Sequence, residues 1–208
     1  MPKKSTLILL AIFLFFFLTT SVGAQTASNA SDLKQEIQDL REEKKAAVDK
    51  IKEDTKAMIQ AKRDEFKARL QTIKDQRKKT LLERINTKLE NINKKHTTRF
   101  SKVLTKMQAI LDQITQSTID GKILEDSKIV QVSIDTAKTA VASQSAKTYI
   151  IEITDELSLR LNAQTEIMQL RQDLVTVHNL VLDTKQKVQK LRVDLAIIKK
   201  GATSSANL

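Results

Sequence analysis

From Gln25 to Leu208 the chain contains no proline and only two glycines, Gly121 and Gly201. That scarcity limits the fold more than any other feature. Tight turns draw on Gly for positive φ and on Pro for a fixed φ. Two glycines cannot punctuate a sandwich, a barrel or a doubly wound sheet. A Gly-rich phosphate loop is excluded with them, and so is nucleotide binding of the P-loop or dinucleotide type. No cysteine is present, which removes disulfide scaffolds, thiol chemistry and Cys-ligated metals. Helices are what remain.

Residues 1–24 read as a signal peptide. Lys3 and Lys4 precede an unbroken apolar run from Leu7 to Leu18, and Val22-Gly23-Ala24 supplies small residues for cleavage. The run is shorter than the roughly 20 residues needed to span a bilayer. Export to a periplasmic, cell-envelope or extracellular location is therefore expected, with an uncleaved N-terminal anchor as the rival. Loss of this segment lowers the formal charge from +11 by the two lysines it holds. Only Phe66, Phe100 and Tyr149 then remain as aromatics, which predicts an elongated molecule with a thin core.

Residues 25–31 read as a flexible leader, with Ser31 or Asp32 as an N-cap. Nothing from there to residue 118 breaks a helix. Apolar residues recur at steps of three and four from Leu33 to Ile114, with Arg77 and His96 at seam positions after Leu70. The expectation is one long helix over 32–118, arm plus bundle helix, with Lys78–Thr80 as the place for a break. Its first half, Asp32 to Lys79, has 26 charged residues among 48, including the helical pairs Glu65–Arg69 and Asp75–Lys79. This half is expected to project as an arm, covered by weak self-association.

Ile119-Asp120-Gly121-Lys122 is the clearest turn signal, with Gly121 in the left-handed position after a helix. Two further helices are expected within 122–200, near Asp126–Ala146 and Asp155–Lys200. The stretch from Lys147 to Thr154 alternates Tyr149, Ile151 and Ile153 and reads as a kink or short extended link. The final helix carries a 3, 4, 3, 4 coiled-coil seam: Ile167, Leu170, Leu174, Val177, Val181, Thr184, Val188, Leu191, Leu195 and Ile198. Gly201 should end it, leaving 201–208 as a disordered tail. The fold class is all-α: an elongated antiparallel helical bundle or coiled coil with a long N-terminal helical arm.

Charge is concentrated. Residues 32–61 hold 7 basic and 8 acidic side chains, 62–110 hold 15 and 5, and 111–208 hold 12 of each. The middle block offers Arg69, Arg77, Lys78, Lys79, Arg84, Lys88, Lys94, Lys95, Arg99, Lys102 and Lys106 as polyanion contacts. With almost no exposed rings among them, they would act by Coulomb attraction without reading sequence. Read by spacing they wind around much of the helix, as a diffuse field. A smaller basic cluster runs from Lys185 to Lys200.

No set of groups converges on a reaction. His96 and His178 read as seam and seam-flanking residues. Glu152, Asp155 and Glu156 read as carboxylates at a helix start, favoured by its dipole. No catalytic residue, metal ligand, cofactor or small-molecule substrate is expected. The expected partners are a protein or a second copy engaged through helices, and an anionic polymer or membrane surface.

Three stretches carry a resemblance: Leu81 to Leu89 (LLERINTKL), Ala137 to Val141 (AKTAV) with Ser145 to Tyr149 (SAKTY), and Leu170 to Leu174 (LRQDL). Together with the export signal they resemble uncharacterised exported helical proteins of candidate-phyla-radiation bacteria. The resemblance implies a bacterial exported protein and no particular activity. Skp-like periplasmic chaperones offer a weaker analogy, being exported, basic and built from long helical arms. This chain lacks the β-rich body that precedes their arms. The functions in view are thus a non-catalytic coiled-coil interaction or structural protein of the envelope, an electrostatic binder, and a holdase-type chaperone.

Overall fold

The computed structural model describes residues 30–155 and 157–205, with side chains as far as Gly201. The expected signal peptide, most of the expected leader, Glu156 and the last three residues lie outside the described residues. Four helices make up the described chain: α1 (Ala30–Leu70), α2 (Gln76–Gln116), α3 (Gly121–Ser145) and α4 (Leu159–Ser205). They run up, down, up and down. Arg41–Asp112 and Arg63–Glu90 pair α1 antiparallel with α2. Gln108–Gln131 and Asn93–Gln144 do the same for α2 and α3, and Ser133–Thr184 for α3 and α4. The expected all-α antiparallel bundle is present.

The short helix α3 is the hub. It packs against each of the other three, and α2 also packs against α4. Its small residues permit this, because Ser127, Ala137 and Ala142 are buried between Val130, Ile134 and Val141. A helix apolar or small on most of its surface must be covered on several sides. The main core joins α2 from Leu89 to Ile114, α3 from Ile123 to Val141 and α4 from Leu170 to Leu195.

The long first helix breaks at residues 71–75, a few residues before Lys78–Thr80. No residue there takes a positive φ; none does anywhere among the described residues. The last turn of α1 tightens instead, with Thr72 N donating to Arg69 O (3.0 Å) and Ile73 N to Leu70 O (3.3 Å). Asp75 then opens α2, its side chain accepting from Arg77 N and Lys78 N. Asp75 therefore caps a helix rather than pairing with Lys79, whose Nζ reaches Gln71 (2.6 Å). Glu65–Arg69 forms as expected (3.0 Å).

The break lets α1 turn back along the bundle, so the expected projecting arm is a fourth packed helix. It is held at its ends. Leu33 and Ile37 are buried at one, Phe66 and Leu70 at the other, and no residue between Ile37 and Phe66 is buried. The far end belongs to a second core of Phe66, Leu70, Ile73, Leu82, Ile151, Ile153, Leu159 and Ala163. Few buried apolar contacts mean a low cost of local opening. Amides of residues 42–62 are therefore expected to exchange faster than those of residues 100–114. Hydrogen exchange by mass spectrometry checks this, and equal protection would contradict the two-ended attachment.

Residues 147–153 are an irregular link with no partner strand. Their alternation is nevertheless used: Tyr149, Ile151 and Ile153 are buried and Glu152 is exposed. Two glycine roles differ from expectation. Gly121 is the first residue of α3, not the end of α2, because Asp120 caps it by accepting from Ile123 N (2.9 Å). This cap starts α3 five residues before Asp126. Gly201 lies inside α4, which continues to Ser205, so the expected tail is helical as far as it is described. At the other end Asp155 accepts from Leu157 N and Ser158 N, and α4 begins at Leu159. Helix α1 likewise begins at Ala30, which places Ser31 and Asp32 inside its first turn.

Candidate interaction surfaces

Helix α2 turns its apolar side inward through Leu82, Leu89, Asn93, Thr97, Phe100, Leu104, Met107, Leu111 and Ile114. Arg77, Leu81 and His96, which the apolar spacing placed on the seam, are exposed. The true seam admits polar Asn93 and Thr97, which an apolar count passes over. Asn93 donates to the carbonyls of Gln144 (3.0 Å) and Lys147 (3.2 Å), where α3 ends. Thr97 donates back to Asn93 O within its own helix (2.9 Å).

This orientation decides the geometry of the basic block. At 3.6 residues per turn, Arg77, Arg84, Lys88, Lys95, Arg99, Lys102 and Lys106 fall within about 60° of arc. All seven are exposed, opposite the buried seam. They form a ladder about 44 Å long, not a diffuse field. Glu83, Glu90 and Asp112 stand about a quarter of a turn or more away, and Glu90 and Asp112 pair with Arg63 and Arg41 of α1. No ladder residue makes an ion pair with a described carboxylate. Arg84, Lys88 and Lys95 line a shallow depression of about 450 Å³ with Glu83, Thr87, Asn91 and Ile92.

The other four candidates do not join the ladder. Arg69 is tied to Glu65 and to the carbonyl of Ile153 (3.3 Å). Lys79 is half-buried against Gln71. Lys78 and Lys94 point to other sides of α2 by the same helical arithmetic.

A second basic feature was hidden by segment totals. Arg41, Lys44, Lys45 and Lys52 of α1 face Lys138 of α3 across a cleft of about 360 Å³, floored by Leu104, Val141 and Ala142. Asp49 and Asp135 line it too. The near neutrality of residues 32–61 concealed this, since many of their acids face elsewhere. A polar network fixes the cleft wall. Gln108 donates to Gln131 (2.7 Å), Gln131 to the buried Asp135 (2.8 Å), and Lys138 to Gln108 (2.6 Å).

In α4, eight of the ten seam positions are buried, from Leu170 through Leu195. Ile167 and Ile198 are not, at 47% and 37% exposure. The inward face between Ala163 and Leu170 passes through half-buried Glu166, where desolvation raises the carboxyl pKa against the pull of Lys62. Ile198 lies beyond the ends of α2 and α3 that cover the seam. In the basic cluster, Lys187 pairs with Asp183 (2.7 Å) and Lys190 with Asp194 (2.6 Å). The first pairing adds an acid to the single one expected there.

His96 and His178 are exposed and flank the Phe100 ring, with centroids 6.0 and 5.9 Å away. Asp173, five residues before His178 on the same helix, accepts from Tyr149 (2.7 Å) and pairs with Lys147 (2.9 Å). Among the described residues no group of three or more His, Cys, Asp or Glu is placed to hold a metal ion. No described helix is long and apolar enough to cross a membrane. No protein-family model, curated protein or solved structure matches the chain.

Proposed function

We propose that this chain is an exported, non-catalytic helical interaction protein of the bacterial envelope that binds an extended anionic polymer along α2. One observation carries the reading: seven exposed cations on one face, about 44 Å long, without a carboxylate in the row. A linear array of like charge on a rigid helix suits a linear partner, whose counterions are released as it binds. Phosphodiester and uronate polymers both supply that charge. The holdase alternative has no comparable feature behind it, since α1 lies along the bundle instead of projecting.

Binding of a single-stranded homopolymer of DNA, followed by fluorescence anisotropy across a salt series, tests the reading. Seven neutralised phosphates give a log–log slope near −5 for a single strand. The expected loss of affinity between 50 and 200 mM salt is about 10³-fold. Absence of binding to this strand and to a uronate polymer at 50 mM salt would overturn the proposal. Tighter binding to anionic vesicles than to either polymer would reassign the ladder to a membrane surface.

A further inference from the structure

The outer face of α4, opposite its buried seam, carries a second heptad pattern that the core does not use. Leu161, Met168, Val175 and Leu182 are spaced by seven residues and are 65%, 64%, 48% and 44% exposed. Interleaved with them at four-residue steps are Thr165, Gln172, Asn179 and Gln186, all exposed. The 4, 3 repeat continues through Gln189, Val193 and Ala196. None of these eleven positions is charged, although 12 of the 42 residues from Leu159 to Lys200 are. A merely solvated face of so charged a helix would not exclude charge along one line.

We infer that this face pairs with α4 of a second copy as a parallel, in-register two-stranded coiled coil. The layers select both partner and direction. In a parallel pair each layer meets itself, so apolar meets apolar and amide meets amide. Asn and Gln carry both donor and acceptor, so the amide layers are self-complementary. An antiparallel pair would set most amide layers against apolar ones and leave their hydrogen bonds unmade. A membrane offers those amides nothing in its hydrocarbon. The strip is about 54 Å long and about 10 Å wide, so two copies cover roughly 1,000 Å², the lower end for a specific interface.

The flanks agree with modest affinity. Parallel register brings His178 beside Asp183 of the partner helix and Lys185 beside its Lys190, one attraction and one repulsion. Asp183 and Lys190 are already paired within their own helix, with Lys187 and Asp194. The two bundles would lie on opposite sides of the paired helices, with neither core disturbed.

The absence of cysteine makes the test clean. In the full-length chain, Gln172→Cys, Asn179→Cys and Gln186→Cys are made one at a time and oxidised mildly. Parallel register brings each thiol to its own copy within disulfide reach, so all three variants should cross-link as dimers. Lys102→Cys, on the exposed face of α2, should not. Light scattering of the Cys-free protein should show a dimer, weakened about tenfold or more in V175E/L182E with helix content unchanged. Cross-linking at only one of the three positions means an antiparallel pair and overturns the inference. A monomer at all concentrations without cross-links overturns it too, as does V175E/L182E losing binding to neutral phosphatidylcholine vesicles where no dimer forms. None of these readouts involves a polyanion, so this inference and the proposed function stand or fall separately.

Discussion

Replacing Arg84, Lys88, Lys95, Arg99 and Lys102 together by Gln should reduce single-strand binding at 50 mM salt by about three orders of magnitude. The salt slope should shrink by about 3.5, which is 0.7 for each cation removed from a single-strand site. Two ladder cations, Arg77 and Lys106, remain to account for the residual slope. The folded state should not notice. All five side chains are exposed and lack an ion pair with a described carboxylate. Gln is close to Arg and Lys in helix propensity, so α2 retains its helicity. A matched variant separates a ladder from general positive charge. Lys50, Lys56, Lys62, Lys67 and Lys74 are also exposed and off α2, and their replacement by Gln changes net charge by the same amount. If both variants lose affinity equally, the field is diffuse after all. A loss confined to the α2 variant assigns binding to one face.

The alignment of the seven cations is fixed by their spacing in the sequence, but their exposure is known only once the inward face of α2 is known. With Arg77 and His96 assigned to the seam, that side reads as packed. With Leu82, Asn93 and Thr97 turned inward instead, all seven face solvent. The error came from admitting only apolar residues to a core that is polar where α3 ends. The same cause hid the position of α1. Its attachment to α2 and α3 uses Arg41–Asp112, Arg63–Glu90 and Lys128–Glu36 as well as four buried apolar residues. In a sequence such charges read as a solvated face. The heptads of α4 were legible because regular repetition needs no tertiary knowledge. Even there, the outer pattern from Leu161 to Ala196 was missed, because five of its eleven layers are polar.

Turns were the other limit. Scarce Gly and Pro suggested that chain reversals would be marked by the glycines that remain. The reversals use side-chain caps instead: Asp75, Asp120 and Asp155 accept from the first free amides of α2, α3 and the turn before α4. With no positive φ among the described residues, glycine has no conformational advantage at any of them. Asp is common in this chain, so its caps do not stand out from the charged background.

Asn93 reaches from α2 to the carbonyls where α3 ends, and it is the polar residue whose loss should cost most. Asn93→Leu keeps the branched shape and the heavy-atom count but removes both donations to the carbonyls of Gln144 and Lys147, and the acceptor for Gln144 Nε2 (2.9 Å). Gln144 is buried, and its amide keeps only the Tyr149 hydroxyl (2.6 Å). Leaving such groups unsatisfied costs about 3 kcal/mol, against about 1 kcal/mol for an average hydrogen bond. For a domain of this size that lowers Tm by about 6–12 °C. Asn91→Leu, one exposed position two residues away, should leave Tm within about 1 °C. The site also has its own reporter, since Tyr149 is the single tyrosine and tryptophan is absent. Desolvation, with Asp173 beside the hydroxyl, holds its pKa well above the ordinary 10.0. The native state therefore keeps the phenolic proton that the unfolded chain releases, and this contribution to stability is present below pH 10.0 and declines as pH rises beyond it. In Asn93→Leu the loosened junction should admit water, and Tyr149 should ionise closer to 10.0, read as phenolate absorbance. An unchanged Tm together with an unchanged titration would mean that the carbonyls of α3 find other partners, and that Asn93 does not close this helix.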